Sequence, residues 1–437
     1  MNNNPVSIHW FRRDLRLHDN ASLYHALSSG NHVLPIFIFD KHILDKLSNP
    51  KDARVHFIFE SLQEIQQQLK AIGSSLHVYY GTPEEAFDFF STHYSIKSVY
   101  TNHDYEPYAI GRDEKIAKQL AAKGISFQSF KDQVIFEKDD VIKDDRKPYT
   151  VFTPYSRKWK FTLMNNPIVF FPSENKMEAF LKMNGVEIPT LESMGFEQSN
   201  IHFPDKTVRG NIIKIYHQQR DIPSIQGTSR LSVHLRFGTI SIRQLAVKAI
   251  EWNEGFLNEL IWRDFYHQIL FHFPSVAAGK SFKPAYDAIP WRSSDADFEA
   301  WQQGRTGYPL VDAGMRELNE TGFMHNRVRM VTASFLCKHL LLDWRLGETY
   351  FAEKLLDFDF AANNGGWQWA SSSGCDAAPY FRVFNPTLQA QKFDAASTYI
   401  KKWVPEINSF NYPTPIVNHE LARKRCIDTY AKALKEN

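Results

Sequence analysis

The sequence predicts a Rossmann-like α/β domain, a doubly wound parallel sheet, followed by an all-α domain. Three observations carry this. Short apolar or aromatic runs alternate with helical periodicity over roughly the first 130 residues, as strands joined by crossover helices do. From about Val208 onward the strand signal fades and three- and four-residue spacing dominates. The length, 437 residues, favours two domains over one.

Val6–Phe11 (VSIHWF) and residues 33–39 (VLPIFIF) read as buried parallel strands. Residues 19–27 between them read as a helix capped by Asp19 or Asn20. Val55, Ile58, Leu62, Ile65, Leu69 and Ile72 form one apolar helix face that ends at Gly73. Residues 76–80 and 98–101 follow as strands, 83–91 and 110–123 as helices. Residues 131–205 carry a charge cluster at 138–147, several prolines and a weak helix near 173–182, and read as an inter-domain connector. The expected domains are therefore 1–130, the connector 131–205, and 206–437. Helices in the last are expected at Ile242–Trp252, 257–270, 308–320, 327–342 and 349–356.

Composition excludes several classes. The 51 Lys and Arg nearly balance the 49 Asp and Glu, so any nucleic-acid site must be a local basic patch. Cys337, Cys375 and Cys426 are widely spaced and make no CxxC pair, which argues against a disulfide framework or a four-cysteine iron–sulfur cluster and for a reducing compartment. No metal site is expected. The polar opening Met1 to Pro5 has no signal-peptide character, and no apolar run suits a membrane span, so a cytoplasmic protein is expected. Eight of the ten tryptophans (252, 262, 291, 301, 344, 367, 369 and 403) lie in the C-terminal half.

Five segments carry chemical signals. WFRRDLRLHDN (10–20) is a basic loop at the carboxyl end of a strand, where open α/β sheets bind ligands; a salt-bridged turn explains it about as well. GTSRLS (227–232) clusters hydroxyls and backbone amides where a helix begins, which suits phosphate or an ordinary cap. In ELIWRDFYHQIL (259–270), Glu259, Trp262 and Arg263 share a helix face, as in an ion-paired helix with Trp in the core. GYPLVDAGMRELNETGFMHNRVRM (307–330) ends on Asn326, Arg327, Arg329 and Met330. LDFDFAANNGGWQWASSSGCDAAPYFRVFNP (356–386) packs Asp357, Asp359, Asn363, a Gly-Gly pair, Trp367 and Trp369 into a short span. Spacing alone favours a buried helix end with a glycine cap; the residue types also suit a flat, nitrogen-rich redox ring.

These segments together, from Ile8 to about Tyr430, resemble the DNA photolyase/cryptochrome family, closest to its class I branch that repairs cyclobutane pyrimidine dimers. The resemblance implies an N-terminal antenna domain and a helical domain binding flavin adenine dinucleotide (FAD). It assigns Tyr216, Thr228, Ser229, Arg230, Leu231 and Ser232 to the flavin's pyrophosphate side. Arg263, Arg329, Asp357 and Asp359 are assigned to its ring, and Asn363 to its N5. It places Glu259, Trp262, Asn326, Met330 and Trp369 around a flipped lesion, with Glu259 as hydrogen-bonding partner and proton donor. Arg327, Arg382 and Lys392 are the implied phosphate contacts, and Trp367, Trp344 and Trp291 an electron relay to the surface.

The implied activity is a carbon–carbon lyase, a blue-light photoreactivating enzyme acting on damaged single- or double-stranded DNA, working as a monomer. Asn326 and Met330 stand where relatives acting on (6-4) photoproducts carry a histidine pair, which points to cyclobutane dimers. Departures from the family pattern are Phe323 in place of Trp and Ala277-Ala278 in place of Cys-Lys. The second weakens the case for a methenyltetrahydrofolate antenna, although Glu106 fits one; a deazaflavin, a second flavin or no antenna are the alternatives. A cryptochrome-type photoreceptor and a non-catalytic DNA-binding flavoprotein are the competing readings. The sequence stops at Asn437, so a long signalling tail is not expected.

Overall fold

The computed structural model describes residues 5–435; most of the polar opening Met1 to Pro5 lies outside the described residues. The chain divides into two compact units. One comprises Met1–Glu137, Leu163–Val208 and Leu231–Lys248; the other comprises Lys138–Thr162, Arg209–Arg230 and Ala249–Asn437. The stretch 131–205 is thus shared between the units.

The first unit is built on five parallel strands: β1 (Val6–Phe11), β2 (His32–Asp40), β3 (His77–Gly81), β4 (Ile96–Asn102) and β5 (Ser126–Phe130), in the order β3-β2-β1-β4-β5. This is the doubly wound α/β arrangement. β1 is buried along its whole length, which is why it reads as a continuous apolar run and not as an alternation. Ile8, Trp10, Leu34, Ile36 and Val99 meet Phe87, Phe90, Ile116 and Leu120 of the flanking helices in one core. Helix Ala53–Lys70 starts at an Asp52 cap, and Pro83–His93 at a capping box formed by Thr82 and Glu85. Of the two caps considered for the first helix, Asn20 is the one used, accepting from the Leu23 amide at 3.2 Å. Asp19 is instead bent to φ 42° and turned to the arginines described below.

The second unit is helical, as expected. The expected helix 327–342 is interrupted: Asn326–Ser334 runs into a π-helical turn, Phe335–His339. Two elements gave little sequence signal. Helix Phe152–Asn165 sits where a connector was expected, and the weak helix near 173–182 is a 3-10 segment, Ser173–Ala179. Among the described residues, no helix is long and apolar enough to cross a membrane.

Candidate flavin and lesion site

The segment 356–386 is a helix from Phe360 to Ser371, begun by Asp359, whose carboxylate caps the Ala362 amide at 3.3 Å. Two glycines in mid-helix cost about 1 kcal/mol each relative to alanine, so something else selects them. At Gly365 a Cβ would lie 2.2 Å from the Tyr266 ring, so this glycine lets helix Glu254–His272 approach closely. At Gly366 a Cβ would meet nothing within 4 Å. Ala362, Asn363, Gly366 and Trp369, spaced one, three and three apart, form the open face of a helix whose opposite face is buried through Ala361, Asn364, Trp367, Gln368 and Ser371. Helix Glu254–His272 has a matching open stripe in Glu259, Trp262, Arg263 and Tyr266.

Asn363 donates its side-chain N–H to the Glu348 carbonyl at 3.1 Å, which leaves its amide oxygen available as an acceptor on the open face. Neighbouring Asn364 donates to the Glu348 carboxyl at 2.8 Å; burial pushes that carboxyl up to about 7. Arg329 makes a two-oxygen contact with Asp357 at 2.9 and 3.1 Å and donates Nε to the Met324 carbonyl at 2.7 Å. Phe323, the residue that departs from the family pattern, lies under two guanidinium groups, Arg230 at 3.5 Å and Arg329 at 5.6 Å. Arg230 holds a left-handed φ of 57° to reach it. Thr228 and Ser229 are half-buried beside it, and Gly227 has no room for a side chain because the Gln219 carbonyl would lie 2.7 Å from its Cβ. Leu231 and Ser232 belong to the other unit, where Leu231 is buried and Ser232 opens helix Ser232–Phe237.

Around Glu259 the structure brings together residues that sequence reasoning missed. Arg220 donates to the Glu259 carboxylate at 2.5 Å and lies 5.3 Å from the Tyr216 ring. Asp221 takes Arg327 at 2.8 Å, and Arg327 covers the Phe393 ring at 4.4 Å with Met330 sulfur 3.8 Å away. Burial raises the Glu259 carboxyl against the pull of Arg220. The only hint of this network was the Arg-Asp dipeptide four residues after Tyr216. His325, adjacent to the missing histidine pair, caps helix Asn326–Ser334 through Nδ1, and burial holds it down to about 4, so it is a neutral cap and no acid. Asn326 is exposed, as are Arg382 and Lys392.

Trp369 packs 6.2 Å from Phe384. Trp344 and Trp367 are buried in one core against which half-buried Trp291 packs; Trp291 in turn lies 5.9 Å from Tyr430. Asp359 stands 3.7 Å from His267. The open faces, the oriented Asn363 amide and the Arg329–Asp357 pair fit a flat, hydrogen-bonding ring such as the isoalloxazine of FAD.

Comparison with known proteins decides the family. Residues 256–411 match the model described as FAD binding domain of DNA photolyase, and residues 7–173 the one described as DNA photolyase. The deoxyribodipyrimidine photo-lyase of Synechococcus sp. is 37% identical over 95% of this chain and 94% of its own length. The chain belongs to the DNA photolyase family. A class III photolyase from Agrobacterium tumefaciens superposes with TM-score 0.84 at 30% identity, covering 100% of this chain and 99% of the other. An archaeal photolyase from Sulfolobus tokodaii with two FAD molecules gives 0.82 at 35%, covering 98% and 99%. FAD is therefore the cofactor of the helical domain. In this photolyase-family chain, Glu106 of the sheet unit, the residue that suits a folate, is ion-paired to Arg13 at 2.9 Å and Arg236 at 3.3 Å, while Ala277-Ala278 of the helical unit close the 3-10 turn Pro274–Ala278.

Proposed function

We propose that this chain is a light-dependent deoxyribodipyrimidine photo-lyase that splits cyclobutane pyrimidine dimers in single- or double-stranded DNA, acting as a monomer in the cytoplasm. The observation that carries this reading is the pair of half-buried stripes, Glu259, Trp262 and Arg263 on one helix, Asn363 and Trp369 on the other, in a chain 37% identical to a deoxyribodipyrimidine photo-lyase. The free thiols of Cys337, Cys375 and Cys426 suit the reducing cytoplasm.

The chemistry that bound, reduced FAD would supply under blue light is one electron lent to the lesion and recovered afterwards. Two carbon–carbon bonds of the cyclobutane break, two pyrimidine double bonds re-form, and no net redox change results. The protein's own residues prepare this. Arg327, Arg382 and Lys392 hold DNA phosphates, which makes binding salt-sensitive. Extrusion of the damaged pair costs a few kcal/mol, less than for an intact pair. Stacking on Trp262 and Trp369 offsets it by roughly 1–3 kcal/mol per base. Glu259, whose carboxyl burial raises against the pull of Arg220, hydrogen-bonds a pyrimidine carbonyl and is the proton donor; Arg220 positions it. Asn326 and Met330 line the same pocket. On the cofactor side, Tyr216, Thr228, Ser229 and Arg230 would hold the pyrophosphate, Arg263, Arg329, Asp357 and Asp359 would hold the ring, and the Asn363 oxygen would accept a hydrogen bond from N5–H. Trp367, Trp344 and Trp291 would form the route by which an electron from solvent reaches the bound flavin.

The test is repair itself. The flavin-loaded, reduced protein is mixed with an oligonucleotide carrying one thymine cyclobutane dimer, and blue-light and dark samples are compared by chromatography. Light-dependent return of intact thymines is expected; none, from fully reduced protein, assigns the chain to the photoreceptors instead. Asn363→Asp is expected to reoxidise faster in air than the wild type, and unchanged reoxidation would remove Asn363 from N5.

A further inference from the structure

Trp262 does not stand alone. The ring of Phe152 lies on it at 3.6 Å between centroids with 3° between planes, a centred face-to-face stack. Aromatic pairs left to themselves prefer offset or edge-to-face arrangements, so a centred stack is held in place by its surroundings. The surroundings are present. The Phe152 amide donates to Asp376 at 3.1 Å. One turn further on, Tyr155 packs 5.1 Å from Phe265, and the buried Trp159 indole donates to Asp264 at 2.9 Å. Helix Phe152–Asn165 is thereby fastened along helix Glu254–His272 over residues 152–159. Phe265, fully buried, meets Trp262 edge-on at 5.6 Å and Phe152 edge-on at 5.9 Å. Tyr266 stacks on Trp262 at 5.4 Å with 28° between planes and is itself pressed against Gly365.

An indole has two faces. Phe152 takes one of them completely, while Trp262 stays half-buried. We infer that Phe152 is a positioning residue for lesion recognition: it backs Trp262 and fixes its χ angles before DNA arrives, so that the half-buried indole meets the damaged pyrimidine already oriented. A free indole would lose rotamer freedom on binding; a backed one has already lost it, so affinity for the dimer rises without a contact between Phe152 and DNA. Phosphate contacts to undamaged DNA gain nothing from this, so the effect falls on discrimination between damaged and undamaged strands.

This inference rests on the assignment of Trp262 to the lesion pocket, and the experiment separates the two. The flavin-loaded protein is titrated with a fluorescent oligonucleotide carrying one thymine cyclobutane dimer and with the same oligonucleotide undamaged. The variants are Phe152→Leu, Phe152→Tyr and Trp262→Ala. Phe152→Leu is expected to lower the ratio of dimer to undamaged affinity by roughly threefold to tenfold, with flavin content and undamaged binding unchanged. Phe152→Tyr, which keeps the stacked ring, is expected to keep the ratio. Should Phe152→Leu fail to fold, Phe152→Met is read in the same way. A ratio unchanged in Phe152→Leu while Trp262→Ala loses it would overturn the inference and leave Trp262 in the pocket. Equal losses for damaged and undamaged DNA would make Phe152 merely structural and overturn it too. An unchanged ratio in Trp262→Ala would remove the lesion assignment itself, and the inference with it.

Discussion

Two sets of charged side chains, one in each unit, differ in how completely they satisfy one another. In the sheet unit, Asp132 accepts from Arg16 at 2.7 and 2.9 Å, from Arg243 at 2.7 Å and from the Ala21 amide at 3.1 Å. Arg243 also bonds both carboxylate oxygens of Asp19 at 3.0 Å. All four side chains are at most 5% exposed. In the helical unit, Glu259 has one arginine and remains 30% exposed, and Arg327 relies on an Asp221 that is 42% exposed. Redundant pairing out of water marks scaffold. Single pairing at the rim of an open face leaves hydrogen-bonding capacity for something else. The two sets look alike as strings of letters: RRDLRLHD is, if anything, the more suggestive of a ligand.

The largest effect is expected where the pairing is most redundant. Burial alone would raise the Asp132 carboxyl, but Arg16 and Arg243 hold it down to about 2, and Asp132→Asn removes the charge from between two buried guanidinium groups. A loss of roughly 3–5 kcal/mol is expected, read as a fall in melting temperature on the order of 10 °C. The corresponding Glu259→Gln change should barely move the melting curve. Equal shifts in the two variants would erase the distinction between scaffold and site.

The division also explains what was legible. Strand–helix alternation and the apolar face of helix Ala53–Lys70 depend on local periodicity, so the α/β fold could be read directly. β5 could not: its residues are SFQSF on a sheet edge, half exposed, with none of the apolar density that betrays a buried strand. Helix Phe152–Asn165 hid because its apolar residues are aromatics spent on Trp262 and Phe265, not a continuous stripe. The motif around Asn363 was legible as a motif, but its partners were not. Arg220 reaches Glu259 across 39 residues, and Arg329 reaches Asp357 across 28. Long-range pairing of this kind leaves no local trace. The basic loop 10–20 was the converse case, equally readable as ligand site or salt-bridged turn. The structure shows its arginines ion-paired, Arg12 on Asp113, Arg13 on Asp104 and Glu106, and Arg16 on Asp132.

A smaller effect sharpens the comparison within a single helix. Gly365 and Gly366 are adjacent, yet one faces packed protein and the other open space. Gly365→Ala drives a methyl into the Tyr266 ring and is expected to cost roughly 1–3 kcal/mol of stability. Gly366→Ala meets no atom and should stabilise the flavin-free protein by up to about 1 kcal/mol, since alanine is the better helix former. The same methyl would stand on the face proposed for the flavin, so Gly366→Ala should purify with less FAD per chain and bind added FAD several-fold more weakly. Stability up and flavin down is a combination that packing alone does not produce. Unchanged FAD binding would move the ring away from Gly366.

The smallest effect lies behind Asn363. Glu348 is a carboxyl that burial lifts from 4.5 to about 7, with Asn364 opposing the shift by donating to it. A raised carboxyl binds its proton more tightly in the folded than in the unfolded chain. Its contribution to stability is therefore whole below about 4.5, falls as pH rises, and is lost beyond about 7. Glu348→Gln keeps an oxygen for Asn364 but cannot ionise, so it should be spared this loss. Melting curves at pH 5 and pH 8 are expected to show the wild type losing on the order of 1 kcal/mol relative to the variant over that interval. The Glu348 carbonyl also holds the Asn363 amide, so the charge that appears on this side chain arises one residue's width from the group assigned to N5. Parallel curves would mean that Glu348 stays in one protonation state throughout, and that the back of the open face, unlike its rim, belongs with the scaffold.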